Sequence, residues 1–307
     1  MSDGLALLGA ATRWAGFLGA LLVTGAVVFR FSLLPGFRRH GGGALPGALE
    51  RAAAVGLAAA LLLALAAPVR LYAQALGFLE PGEPVTRELI GTILRETAWG
   101  RGWVLQLLAA GLAVTAFLAA RGLPRPGWLM SAAAASAVVL AAPLTGHATA
   151  SERAGSWGYP LDVVHLLGAG AWLGTLAVLV AAGMGREQAG EDGRHPTALL
   201  VRAFSPIALA GAGTAIAAGV ALAFRYLEGS IPALWTSGYG RTLLLKLAVL
   251  GLVMALGARN WRVLTPRLGQ SDGTARIRRS AIAELLLGTV LLAVTAVLVS
   301  LPMPGEE

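Results

Sequence analysis

The 307-residue chain has no cysteine, a single lysine (Lys246), and only 13% charged residues. Without cysteine there are no disulfides, thiolate metal sites, iron–sulfur clusters or cysteine nucleophiles. So little charge does not fit a soluble domain, in which roughly a quarter of the residues are charged. Histidine is scarce as well: His40, His147, His165 and His195 are the whole supply. There is no phosphate-binding glycine loop, Ser/His/Asp arrangement, HExxH or CxxC, and Gly41-Gly42-Gly43 reads as a flexible loop, so a non-enzymatic protein is expected. The net charge of +8 comes from 23 arginines against one lysine. That bias follows base composition, and a nucleic-acid partner is not expected.

Apolar sequence fills the space that charge leaves. The chain is 56% hydrophobic with a mean hydropathy of +0.71. Its apolar runs approach the ~20 residues needed to cross ~30 Å of hydrocarbon. A barrel would show short alternating segments instead. The predicted fold is therefore all-α, a polytopic transmembrane helical bundle. Eight spans are expected near 13–34, 49–77, 98–121, 127–146, 161–183, 199–226, 240–264 and 280–302. Leu89, Ile90, Ile93 and Leu94 recur at helical spacing and predict a short interfacial helix over Thr86–Trp99. The start, Met-Ser-Asp-Gly, lacks a basic region and the first apolar run is too long for a cleaved leader, so a retained first helix is expected. No internal repeat is visible, and one integral membrane domain, 1–307, accounts for the chain.

Fifteen of the 24 basic residues lie in the segments after spans one, three, five and seven, six of them within Arg259–Arg279. Loops rich in Lys and Arg stay in the cytoplasm. Both termini are thus predicted on the outer, periplasmic side of a bacterial inner membrane.

With that orientation, His147 ends the fourth span and His165 lies about one turn into the fifth, both at the outer face. Asp162, His165 and Trp172 stand at i, i+3 and i+10, on one helix face. Imidazoles suit copper and zinc, and a carboxylate such as Asp162 orients a ligating histidine. His147 and His165 are the candidate metal ligands. Two ligands make a weak site, so Met303, a soft thioether for Cu(I), with Tyr159, Glu152 or water, are candidates to complete it. The competing readings are a histidine that merely caps a helix end, and a Trp172 that only packs. Gly170 and Gly174 form a small-xxx-small pair, which predicts close helix contact. Lys246 and Glu284 are charges inside spans, assigned either to ion pairing or to a permeation path. Glu284 is expected to neutralise Arg259, Arg262 or a neighbour near the cytoplasmic face. Arg70 is expected to snorkel outward.

Several motifs in order resemble the copper resistance protein D family of bacterial inner-membrane proteins. They are Gly146-His147-Ala148, Asp162-x-x-His165 running on to Trp172-x-Gly174, Phe204-Ser205-x-x-Ala208, Tyr239-Gly240-Arg241 with Lys246, Arg278-Arg279-Ser280 with Glu284, and Pro302-x-Pro304. The likeness is strongest over about 143–304. It implies eight transmembrane helices and copper, as Cu(I) or Cu(II), moved inward across the membrane through the outer-face histidines. It also implies a separate periplasmic copper-binding partner of the CopC type. Two other functions compete: a b-type haem electron-transfer protein with His147 and His165 as axial ligands, and a ligand-free scaffold.

Overall fold

A computed structural model describes residues 3–80, 82–146, 155–184, 194–264 and 273–304. Within them, eight helices are long and apolar enough to cross a membrane: Gly4–Arg39, Ala48–Leu76, Ala98–Gly122, Pro124–Thr145, Ser156–Gly183, Pro196–Tyr226, Gly238–Val263 and Gly273–Leu298. No strand occurs among the described residues. Helix is the only open structure that satisfies every backbone N–H and C=O from within one segment, as hydrocarbon demands.

Successive spans alternate in direction, so both ends of the described chain lie on one face, here termed the terminal face. Arg13 there donates to the Ser300 hydroxyl at 2.8 Å, joining the first span to the end of the eighth. The opposite face carries the arginine-rich segments. Two helices run further toward it than hydropathy alone predicts. The first continues through a wide turn at Phe29–Leu33 to Arg39, and the eighth begins at Gly273 rather than near 280. The second difference places Glu284 about three turns inside its helix, not one.

The first and fifth spans meet along backbone. A Cβ on Gly174 would lie 1.9 Å from the Leu21 carbonyl oxygen, and one on Gly25 would lie 2.1 Å from the Gly174 carbonyl carbon. Gly170 packs on Thr24, so the predicted small-residue pair does serve a close helix contact. The fifth span also presses on the sixth, through Gly168 against Gly211. Third and fourth spans lock through Phe117 and Trp128, edge to face at 5.9 Å.

A local repeat, not expected from the sequence, appears where the third and seventh spans begin. Each is preceded by a short helix, Arg87–Glu96 and Ala233–Thr236. The first of these is the predicted interfacial helix. At one junction Thr97 donates to the Ile93 carbonyl (2.7 Å) and accepts from the Gly100 N–H (2.8 Å). At the other, Ser237 donates to the Ala233 carbonyl (2.7 Å) and accepts from the Gly240 N–H (2.9 Å). In both, the glycine is pressed on the preceding carbonyl, where a Cβ would come within 2.0 Å. Thr97, Trp99, Gly100, Arg101 and Gln106 thus recur in register as Ser237, Tyr239, Gly240, Arg241 and Lys246.

The two copies diverge at the last position. Gln106 donates to the Ala141 and Ala142 carbonyls and to Thr145, and accepts from Arg70 at 3.1 Å. Arg70 thus extends toward the terminal face, where protein groups receive its guanidinium. It is held by Gln106 and the Thr145 carbonyl, with Trp99 beneath its guanidinium. Lys246, the counterpart of Gln106, faces a different set of groups.

Candidate metal site

The fifth, sixth, seventh and eighth spans converge at the terminal face. Tyr226 ends the sixth, Tyr239 opens the seventh, and Met303 follows the eighth. All three are buried in one cluster with Leu222, Leu243 and Leu298. The Tyr226 and Tyr239 rings meet edge to face at 6.4 Å. The Asp162 carboxylate lies within electrostatic range of both tyrosine hydroxyls. Lys246, about two turns below the face, is in similar range of Asp162 and of the His165 imidazole. The fold thus gathers Asp162, His165, Lys246, Tyr226 and Tyr239 in one region, and Met303 belongs to the tyrosines' cluster.

His165 has a defined role for each ring nitrogen. Its Nδ1 lies 2.7 Å from the Ala215 carbonyl oxygen on the sixth span. A carbonyl only accepts, so Nδ1 carries the hydrogen and the lone pair of the neutral ring sits on Nε2. Ligating histidines are commonly held this way, with the second nitrogen donating to a carbonyl or carboxylate. Gly219, one turn after Ala215, gives the ring its access. A Cβ there would stand 3.0 Å from Cε1 and 3.1 Å from Nδ1.

His147 and Glu152 lie outside the described residues. Nearby, the Tyr159 hydroxyl donates to the Leu140 carbonyl at 2.9 Å, so the start of the fifth span is tied to the end of the fourth. That bond turns the Tyr159 hydroxyl toward the fourth span. Trp172 is also turned elsewhere. It falls in a π-helical turn, Gly170–Gly174, and its indole N–H is directed at the Glu284 carboxyl on the eighth span.

Among the described residues Glu284 pairs with no arginine, contrary to the expectation above. It accepts from the Asn260 amide at 3.0 Å, and Ser280 donates to the same amide's Oδ1. Asn260 and Trp172, reaching in from the seventh and fifth spans, occupy the carboxyl instead. Among the described residues no group of three or more His, Cys, Asp or Glu side chains could hold a metal ion. Any metal here must draw on Met303, tyrosine, water or residues outside those described. Tyr226 and Tyr239 escaped sequence reasoning as site residues, although Tyr239 stands in the Tyr-Gly-Arg motif.

Comparison with known families settles the chain's affiliation. The family model for copper resistance protein D matches residues 198–298, and that for the copper resistance protein D-like N-terminal domain matches residues 1–159. The chain belongs to the copper resistance protein D family. It is 31% identical over 266 residues to the copper transport protein CutJ of Bacillus subtilis (strain 168), an alignment covering 83% of this chain and 45% of that protein. It is 28% identical over 295 residues to copper resistance protein D of Pseudomonas syringae pv. tomato, covering 92% of this chain and 89% of that one. The chain thus spans less than half of the first relative and most of the second. No solved structure matches. Eight apolar helices and this family make it a multi-pass protein of the bacterial inner membrane.

Proposed function

We propose that this protein captures copper at the terminal face and carries it inward across the membrane, without catalysing a chemical reaction. The terminal face is assigned to the periplasm because the arginine-rich segments belong in the cytoplasm. His165 supplies Nε2 as a ligand and His147 a second imidazole from the neighbouring span. Met303 offers sulfur to Cu(I), and Asp162 offers oxygen to Cu(II). The observation that carries this reading is the His165–Ala215 bond, which presents a ligand lone pair at a membrane surface in a chain with four histidines. The names of the two relatives, one a copper transport protein and one a copper resistance protein, supply the ion.

Lys246 fits the same scheme. In the empty site its ammonium balances the Asp162 carboxylate, and an arriving copper ion displaces that pairing. A positive charge just below the ligands also weakens retention, which suits hand-off better than storage. A soluble periplasmic copper-binding protein of the CopC type is the proposed donor.

The decisive measurement is copper accumulation in cells expressing wild type or the His147→Ala/His165→Ala double variant, at matched membrane abundance. Loss of uptake supports the site, and unchanged uptake removes both histidines from the mechanism. A gentler variant tests the orienting bond. Gly219→Ala raises helix propensity by up to about 1 kcal/mol, yet crowds the His165 ring away from the Ala215 carbonyl. Copper affinity, read by chelator competition, is expected to fall about tenfold or more with thermal stability retained.

A further inference from the structure

We propose that Glu284, with Asn260 and Ser280, is a second station for the transported copper ion, between the His165 site and the arginine-rich face. This rests on the copper reading above and extends it from capture to passage.

The Glu284 side chain is only 4% exposed. It stands five residues beyond Arg279 on the eighth span, roughly 7 Å along the axis at ~1.5 Å per residue. An acidic side chain at that depth normally pairs with a cation or marks an ion path. Its partners here are neutral: the Asn260 amide and the Trp172 indole. With no cationic partner among the described residues, the carboxyl carries either a proton or a visiting cation.

The surroundings suit a transient guest. Asn260 donates to Oε2, and Gly257 faces Oε1, where a Cβ would stand at an ordinary contact distance of 3.5 Å. The Glu284 carboxyl, the Asn260 amide and the Ser280 hydroxyl make one hydrogen-bonded chain that carries only oxygen donors for a metal. Copper prefers imidazole and sulfur to such a set, so the ion is held more weakly than at His165 and can be released.

The station also connects in both directions. Trp172 lies seven residues beyond His165 on the fifth span, two turns or about 10 Å deeper, and reaches Glu284 from the capture side. On the other side Ser280 lines a cavity of about 380 Å³ together with Arg259, Arg276 and Arg279. Those arginines keep a cation from accumulating in the cavity. Passage is ligand exchange alone, with no change of oxidation state.

The test uses the full-length protein in liposomes with radioactive copper, comparing wild type, Glu284→Gln, Glu284→Asp and His165→Ala. Glutamine keeps the shape and an acceptor oxygen but removes the charge. Glu284→Gln is expected to lower uptake about tenfold or more, with unchanged thermal midpoint and with copper still captured through His165. Glu284→Asp should recover part of the uptake. Copper quenching of the fluorescence component that disappears in Trp172→Phe should be present in wild type and lost in Glu284→Gln. Wild-type uptake in Glu284→Gln overturns the station while leaving capture at His165 intact. Uptake and thermal stability lost together in both Glu284 variants also overturn it, as the sign of a purely structural hydrogen bond. Absence of copper uptake by the wild-type protein removes both readings.

Discussion

Gly174→Ala is expected to leave little folded protein in the membrane, whereas Gly213→Ala is expected to pass unnoticed. The chemical change is the same single methyl group. At Gly174 that methyl would stand 1.9 Å from the Leu21 carbonyl oxygen, backbone against backbone, where no side chain can swing aside. At Gly213 nothing lies within 4 Å. Overpacking a rigid contact costs about 3 kcal/mol and occasionally more, a large share of the stability of a typical domain. The first and fifth spans bring the two halves of the bundle together backbone against backbone, so their separation should spread. The fraction of detergent-solubilised protein that stays monodisperse after mild heating measures it. Equal survival of the two variants would show that the Gly25–Gly174 contact is not needed for the fold.

Gly240→Ala is expected to abolish transport as well as lower stability, and its twin separates the two effects. Gly100 and Gly240 occupy the same geometry, each with a Cβ position 2.0 Å from a carbonyl oxygen of the short helix before it. Either alanine must push that helix away, at about 1–3 kcal/mol or more. The seventh span, however, carries Tyr239 and Lys246 beside Asp162, while the third carries Gln106 and its hydrogen bonds. Uptake per folded molecule should therefore collapse in Gly240→Ala and be kept in Gly100→Ala. Equal uptake per folded molecule in the two variants would remove the seventh span's opening turn from the site.

Much of this architecture was readable from hydropathy, because eight runs of Ala, Leu, Val and Gly have no alternative inside a bilayer. What hydropathy missed was helix beyond the hydrocarbon. Residues from Gly273 to Arg279 are too polar to score as membrane, yet they are helical. Asp162 and His165 were legible because i and i+3 share a face. The partners that define them were not: Ala215, Gly219, Tyr226 and Lys246 reach them from other helices, through packing that no local spacing encodes. Trp172 shared that face by spacing, but a wide turn and a long-range carboxyl partner claimed it. The repeated junction was written in the sequence as hydroxyl, aromatic, glycine and arginine. It was masked because Thr97 became Ser237, Trp99 became Tyr239 and Gln106 became Lys246.

That substitution divides labour between two related halves. Gln106, with every polar atom engaged, is spent on holding helices together, and its half can serve as an inert chassis. The corresponding lysine is free of that duty, and its charge lies within range of Asp162 and His165 while the junction above it keeps the same build.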